Sequence, residues 1–143
     1  MKPEELIERT RAFYQAALTD LEKALERYVA TEGFVWENPL PSHVPFGGTY
    51  EGHDGLRRYL TLVNGAIEMN QFEFDDVVAQ GDTVMAAGHE ASRVRATGRS
   101  YEMDFVHLVK FAPDGKLLRV REYNDTASIG AAFTGSTSTP ATS

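Results

Sequence analysis

The second half of this chain is a succession of strand-length runs, and that pattern most limits the folds open to it. Phe72–Ala79, Thr83–Val94, Tyr101–Phe111 and Leu117–Tyr123 are rich in aromatic and β-branched residues. Gly81-Asp82, Thr97-Gly98 and Pro113-Asp114-Gly115 fall between them as turns. Consecutive runs joined so briefly pair antiparallel, giving a meander.

The first half reads as helical. Pro3 suits a first helical position, and Glu4 and Glu5 complement the positive end of the helix dipole. Leu6, Ile7, Thr10, Phe13, Tyr14, Ala17 and Leu18 form a wide apolar stripe. Thr19-Asp20-Leu21-Glu22 reads as a capping box for a second helix reaching about Tyr28, ended by Gly33. Phe34–Asn38 reads as a short strand stopped by Pro39. A long Pro- and Gly-rich loop follows to Gly52, then a third helix over Asp54–Asn64. Asp125 can cap a last short helix running to about Phe133. Helices followed by consecutive strands define an α+β domain over residues 1–133. The segment 134–143 has no apolar anchor and is expected to be a disordered tail.

Composition narrows the function. A chain of 143 residues, 42% hydrophobic and 24% charged, is one ordinary globular domain. A net charge of −7 argues against a nucleic-acid partner. No apolar run is long enough for a membrane span, and the polar N-terminus lacks a secretory pattern, so a cytoplasmic location is expected. With no cysteine there is neither a disulfide nor a thiolate nucleophile, and the four histidines form no closely spaced helical pair that would call for a metal.

Strand alternation sorts the polar residues. Along Tyr101–Phe111 the odd positions are apolar except His107, which therefore points inward, as a satisfied core histidine or a proton-handling group. On the last strand Glu122 shares a face with Leu118, Val120 and Asn124. A carboxyl there is either paired, with Arg93, Arg95 or Arg99 as neighbours, or raised in pKa as a general acid or base requires. Trp36 shares its face with Phe34 and Asn38, as core or as a ligand platform. Tyr14 lies on the first helix's apolar stripe, and its hydroxyl needs a partner if buried. Periodicity does not decide which way Glu90 points, although Ala86 and Gly88 leave room for something large.

The segments FYQAALTD (13–20), VWENPLPS (35–42), PFGGTYEGHDGLRRYL (45–60), YEMDFVHLVKFAPDGK (101–116) and VREYND (120–125), in that order, resemble the ketosteroid isomerase and SnoaL-like polyketide cyclase group of the NTF2-like superfamily. The resemblance implies a cone-shaped α+β barrel, a curved antiparallel sheet wrapped by three N-terminal helices, commonly as a homodimer. In ketosteroid isomerases a helix tyrosine and a protonated aspartate form an oxyanion hole beside an aspartate base. Tyr14 matches the tyrosine, but the base falls on Asn38 and the acid near His107, so steroid isomerisation is not expected. The SnoaL-like and limonene-epoxide-hydrolase branches place an acid where Glu122 stands, and the latter's second carboxylate falls near Glu90. The arginine that bridges that pair is replaced by Gly88.

These residues suit a cofactor-free enzyme doing acid/base chemistry on an apolar carbonyl- or epoxide-bearing molecule: isomerase, aldol cyclase or hydrolase. Glu122 would move the proton, His107 and Tyr14 would hold an oxyanion, and Asn38 would orient substrate or water. Trp36, Phe46, Phe105 and Glu90 would meet the substrate. The alternatives are a ligand-binding or protein-interaction module without catalysis, or a dimer whose outer sheet face, with Val106 and Leu108, is its function.

Overall fold

The computed structural model describes residues 1–134. The expected tail lies outside the described residues, apart from Thr134, which ends the last helix. The order is α1 (Pro3–Thr19), α2 (Leu21–Tyr28), β1 (Val35–Asn38), β2 (Gly48–Glu51), α3 (Gly52–Ala66), β3 (Ile67–Gln80), β4 (Thr83–Val94), β5 (Ser100–Phe111), β6 (Leu117–Asn124) and α4 (Thr126–Thr134).

Local chemistry explains the helix ends. Pro3 opens α1, and Glu5 accepts a bond from the Lys2 backbone N–H. The second helix is capped by Asp20, which accepts from the Lys23 backbone N–H, rather than by the expected Thr19. The Thr19 hydroxyl instead bonds back to the carbonyls of Gln15 and Ala16, finishing α1. Asp125 caps α4 through the Ser128 backbone N–H, as its position in the sequence suggested.

The six strands form one curved sheet in the order β2-β1-β6-β5-β4-β3. The meander β3–β6 is antiparallel throughout, but β1 joins β6 in parallel, so the sheet is mixed at that seam. Part of the expected loop is strand β2, which pairs antiparallel with β1 and places Tyr50 opposite Trp36. Only Tyr50 is buried among its four residues, so no alternation marked it in the sequence. Strand β3 likewise begins at Ile67 rather than Phe72, because residues 68–71 are exposed and the register slips between Met69 and Gln71. A second slip lies between Phe74 and Asp76, opposite Gly88. A Cβ on Gly88 would sit 1.9 Å from the Glu73 carbonyl oxygen, so only glycine lets the bulged strand approach this closely.

The long helices α1 and α3 cross the concave face, and α4 packs on β5. Leu6 and Phe13 of α1, Leu56 and Val63 of α3, and Val84, Val109 and Val120 of the sheet meet in one buried core. Alternation on β5 holds as expected: Tyr101, Met103, Phe105, His107, Val109 and Phe111 are all buried. On β4 it is Val84, Ala86, Glu90 and Ser92 that turn inward, which settles the direction of Glu90. No helix among the described residues is long and apolar enough to cross a membrane.

Candidate functional site

Inside the curved sheet lies a cavity of about 90 Å³, with polar groups at two places in a mostly apolar lining. Tyr14 comes from α1, Trp36 and Asn38 from β1, Phe46 from the β1–β2 loop and Tyr59 from α3. Glu90, His107 and Glu122 come from β4, β5 and β6. Leu18 and Met69, both exposed, stand at the mouth.

The first polar cluster centres on Glu122, which faces His107 directly across the β5–β6 ladder. Its Oε2 accepts from Trp36 Nε1 at 2.8 Å and from the Tyr59 hydroxyl at 2.5 Å. Its Oε1 accepts from Asn124 Nδ2 at 3.1 Å and lies 3.3 Å from His107 Nε2. Burial pushes the Glu122 carboxyl up, but the His107 charge and the bonds from His107, Tyr59 and Asn124 outweigh it and hold the group down at about 2. Pairing was one of the two outcomes expected for an inward Glu122. The partner is His107 rather than an arginine: Arg93 reaches Glu68, and Arg95 reaches the Asn64 carbonyl. The carboxyl is held low rather than raised, with three donors and the His107 ring around the charge.

His107 continues the chain. Its Nδ1 lies 2.6 Å from the Tyr14 hydroxyl. Burial, then the Glu122 charge, raises the Tyr14 hydroxyl well above the usual phenol range, so it stays protonated. Asn38 is wholly buried; its Nδ2 donates to the Tyr59 hydroxyl and its Oδ1 accepts from Asn124. It thus positions Tyr59 and Asn124 around Glu122. Trp36 packs beside Tyr59 with ring centres 5.4 Å apart and also lines the cavity. Phe46 packs edge-on against Tyr59 and Phe133. Phe105 does not join the lining: it stacks on Phe72 at 4.9 Å and backs His107 at 4.7 Å.

The second cluster centres on Glu90. Its Oε2 accepts from Ser92 Oγ at 2.7 Å and from the Tyr101 hydroxyl at 2.8 Å. Burial raises this carboxyl's pKa, and the two hydroxyls only partly offset it. Tyr59, Ser92 and Tyr101 were not singled out as site residues from sequence. The signal for the tyrosines was the one used for Tyr14, a hydroxyl on a buried face that must find a partner. Among the described residues no three His, Asp or Glu side chains converge as a metal ion would need.

Comparison with known proteins accords with this architecture. The SnoaL-like domain profile matches residues 10–120, and the chain belongs to that family. Comparison with curated proteins found no match. Among solved structures, an NTF2-like protein from Burkholderia xenovorans LB400 is 28% identical with a TM-score of 0.84, covering 93% of this chain and 98% of its own. An inferred isomerase from Bacillus subtilis is 26% identical with a TM-score of 0.73, covering 93% and 95%. TerC, crystallised with polyporic acid, is 25% identical with a TM-score of 0.73, covering 92% and 99%.

Proposed function

We propose that this protein is a cofactor-independent enzyme that uses acid/base chemistry on an apolar small molecule bearing a carbonyl or epoxide oxygen. The observation that carries this reading is the chain of contacts Glu122–His107–Tyr14, a 3.3 Å carboxylate–imidazole contact followed by a 2.6 Å hydrogen bond, which ends in a hydroxyl at an apolar cavity. Glu122, an ionised acceptor, holds the Nε2–H of His107, and Nδ1 is thereby turned to Tyr14. With a neutral imidazole, Tyr14 donates to Nδ1. When the Tyr14 hydroxyl passes its proton to Nδ1 and its oxygen takes one from the ligand in exchange, Nδ1–H donates to the Tyr14 oxygen, and the renewed phenolic O–H is free to donate to a ligand oxygen on which charge develops. Glu122 is therefore an anchor rather than the proton mover that the sequence suggested. Inferred isomerase activity in one structural relative supports this class of chemistry, and co-crystallisation of another with polyporic acid supports a small-molecule ligand.

The test is a screen of ketones and epoxides for turnover, followed by Tyr14→Phe and His107→Ala on the best substrate. Each variant should lose about 10²–10³ in kcat, the scale of one oxyanion donor, with its unfolding midpoint checked in parallel. Full turnover by both folded variants would remove the reading. A second reading, a binding module without catalysis, is favoured by the occupation of both Glu122 oxygens by three donors and the His107 contact. It predicts that a ligand is retained unchanged and that the same variants weaken only its binding.

A further inference from the structure

The two oxygens of Glu90 are treated unequally by the fold. Ser92 and Tyr101 are directly opposed across the β4–β5 ladder, and both of their hydroxyls converge on Oε2. No group among the described residues donates to Oε1. The only sealed and unpaired side-chain polar atoms among those residues are Arg121 Nε and Asn124 Oδ1. Glu90 Oε1 is thus unpaired but not sealed, and Glu90 lines the cavity. Leu60, Val63, Ile67, Met69 and Met103 supply apolar lining in the same cavity.

We propose that Glu90 Oε1 is a recognition site for a hydroxyl group of the ligand, so that the substrate class is a hydroxyketone or hydroxyepoxide, bound by its carbonyl or epoxide oxygen at Tyr14 and by its hydroxyl at Glu90. This rests on the reading of the cavity as the ligand site. A neutral hydroxyl suits the apolar walls, because an ammonium group would have to shed its hydration there. A carboxylate accepting from a hydroxyl forms a charge-assisted bond, stronger than a neutral one.

The unequal oxygens also dictate what protonation does. Oε2 already accepts two donors, so a proton taken up by Glu90 goes to Oε1 and turns an acceptor into a donor. Burial moves this event to higher pH than for a free glutamate; Ser92 and Tyr101 oppose the shift, Glu122 adds to it, and His107 opposes it. Tyr59 on α3 also senses the Glu90 charge, while β3 brings only the apolar Phe72, Ile67 and Met69 to this part of the lining.

The experiment measures binding of cyclohexanone, 4-hydroxycyclohexanone and cyclohexane-1,4-dione by NMR shift titration. At about pH 8 the hydroxyketone should bind the unmodified protein about tenfold more tightly than cyclohexanone, the scale of a hydrogen bond to a charged group. In Glu90→Gln, Ser92 and Tyr101 hold the amide oxygen in the Oε2 position, which places the NH2 in the Oε1 position. The order should then invert, the dione overtaking the hydroxyketone. Lowering the pH of the unmodified protein should produce the same inversion, which keeps the test decisive even where Glu90→Gln does not fold. Equal binding of cyclohexanone and the hydroxyketone, or an unchanged order in both the folded variant and the acid titration, overturns the proposal. Tyr14→Phe separates the two readings: it should weaken cyclohexanone itself while leaving the hydroxyl preference intact. If cyclohexanone binding is unaffected there, the carbonyl end is wrong and the Glu90 end stands. If none of the three probes binds, both are wrong.

Discussion

Glu122 and Glu90 are the same residue type, both on inward positions of neighbouring parts of one sheet, and both only 8% exposed. Their carboxyls nevertheless move in opposite directions, Glu122 downward and Glu90 upward. Burial penalises both charges. The difference lies in the partners: Glu122 has three donors spread over both oxygens with the His107 ring 3.3 Å away, while Glu90 has two neutral hydroxyls on a single oxygen. Burial by itself therefore says little about a carboxyl's chemistry. The number, charge and placement of its partners decide whether it is an anchor or remains free to meet a ligand.

The largest test of this contrast is the isosteric swap at each site. In Glu122→Gln, the amide NH2 meets existing donors in either orientation, Trp36 and Tyr59 at one position and Asn124 at the other. The loss should be about 3 kcal/mol of unfolding free energy, measured by denaturant titration. Glu90→Gln has a free position for the NH2 and should change stability by less than about 1 kcal/mol. Equal losses at the two sites would break the contrast.

Next in size is Tyr59→Phe, which removes the 2.5 Å donor to Glu122 and leaves Asn38 Nδ2 without its acceptor. About 2 kcal/mol should be lost in the same titration. Tyr101→Phe removes one of two donors from Glu90 and should cost only about 1 kcal/mol, while raising the pH at which Glu90 takes up its proton, read by carboxyl infrared absorption.

The subtlest test is the pH dependence of stability, where the two groups carry opposite signs. Glu122 is depressed from 4.5 to about 2, so its contribution is complete above 4.5 and is lost as the pH falls from there toward 2. Glu90 is raised above 4.5, so the folded protein holds that proton more tightly than the unfolded chain. Its share of stability is present at low pH and is lost as the pH rises through the folded value. Urea midpoints against pH should show the acid limb flattened in Glu122→Gln and the rising-pH loss removed in Glu90→Gln.

Much of this frame was legible beforehand. The alternation from Tyr101 to Phe111 placed His107 inside, and the turn residues between the last four strands gave the meander, because a strand's two faces and its turn glycines are local properties. Strand β2 was hidden: its Gly48–Glu51 segment buries one side chain and is a strand only because the edge of β1 supplies backbone partners. The parallel seam between β1 and β6 was hidden for a related reason, since pairing between distant segments leaves no local mark. At the site, Tyr14, Asn38, His107 and Glu122 were found as inward polar positions, but their partners were not. Asn38 and Glu122 are held by each other's neighbours, Tyr59 and Asn124, and no spacing along the chain encodes that meeting.

By itself, then, the sequence determined the inward face on which His107 and Glu122 lie and the meander that carries them, because both follow from the two-residue period of a strand. Only the tertiary structure decided that Glu122 would be saturated and Glu90 left with one open oxygen. Donors from α3, β1, β4, β5 and β6 converge there across long separations in sequence, and the charge on a buried carboxyl depends on which of them arrive.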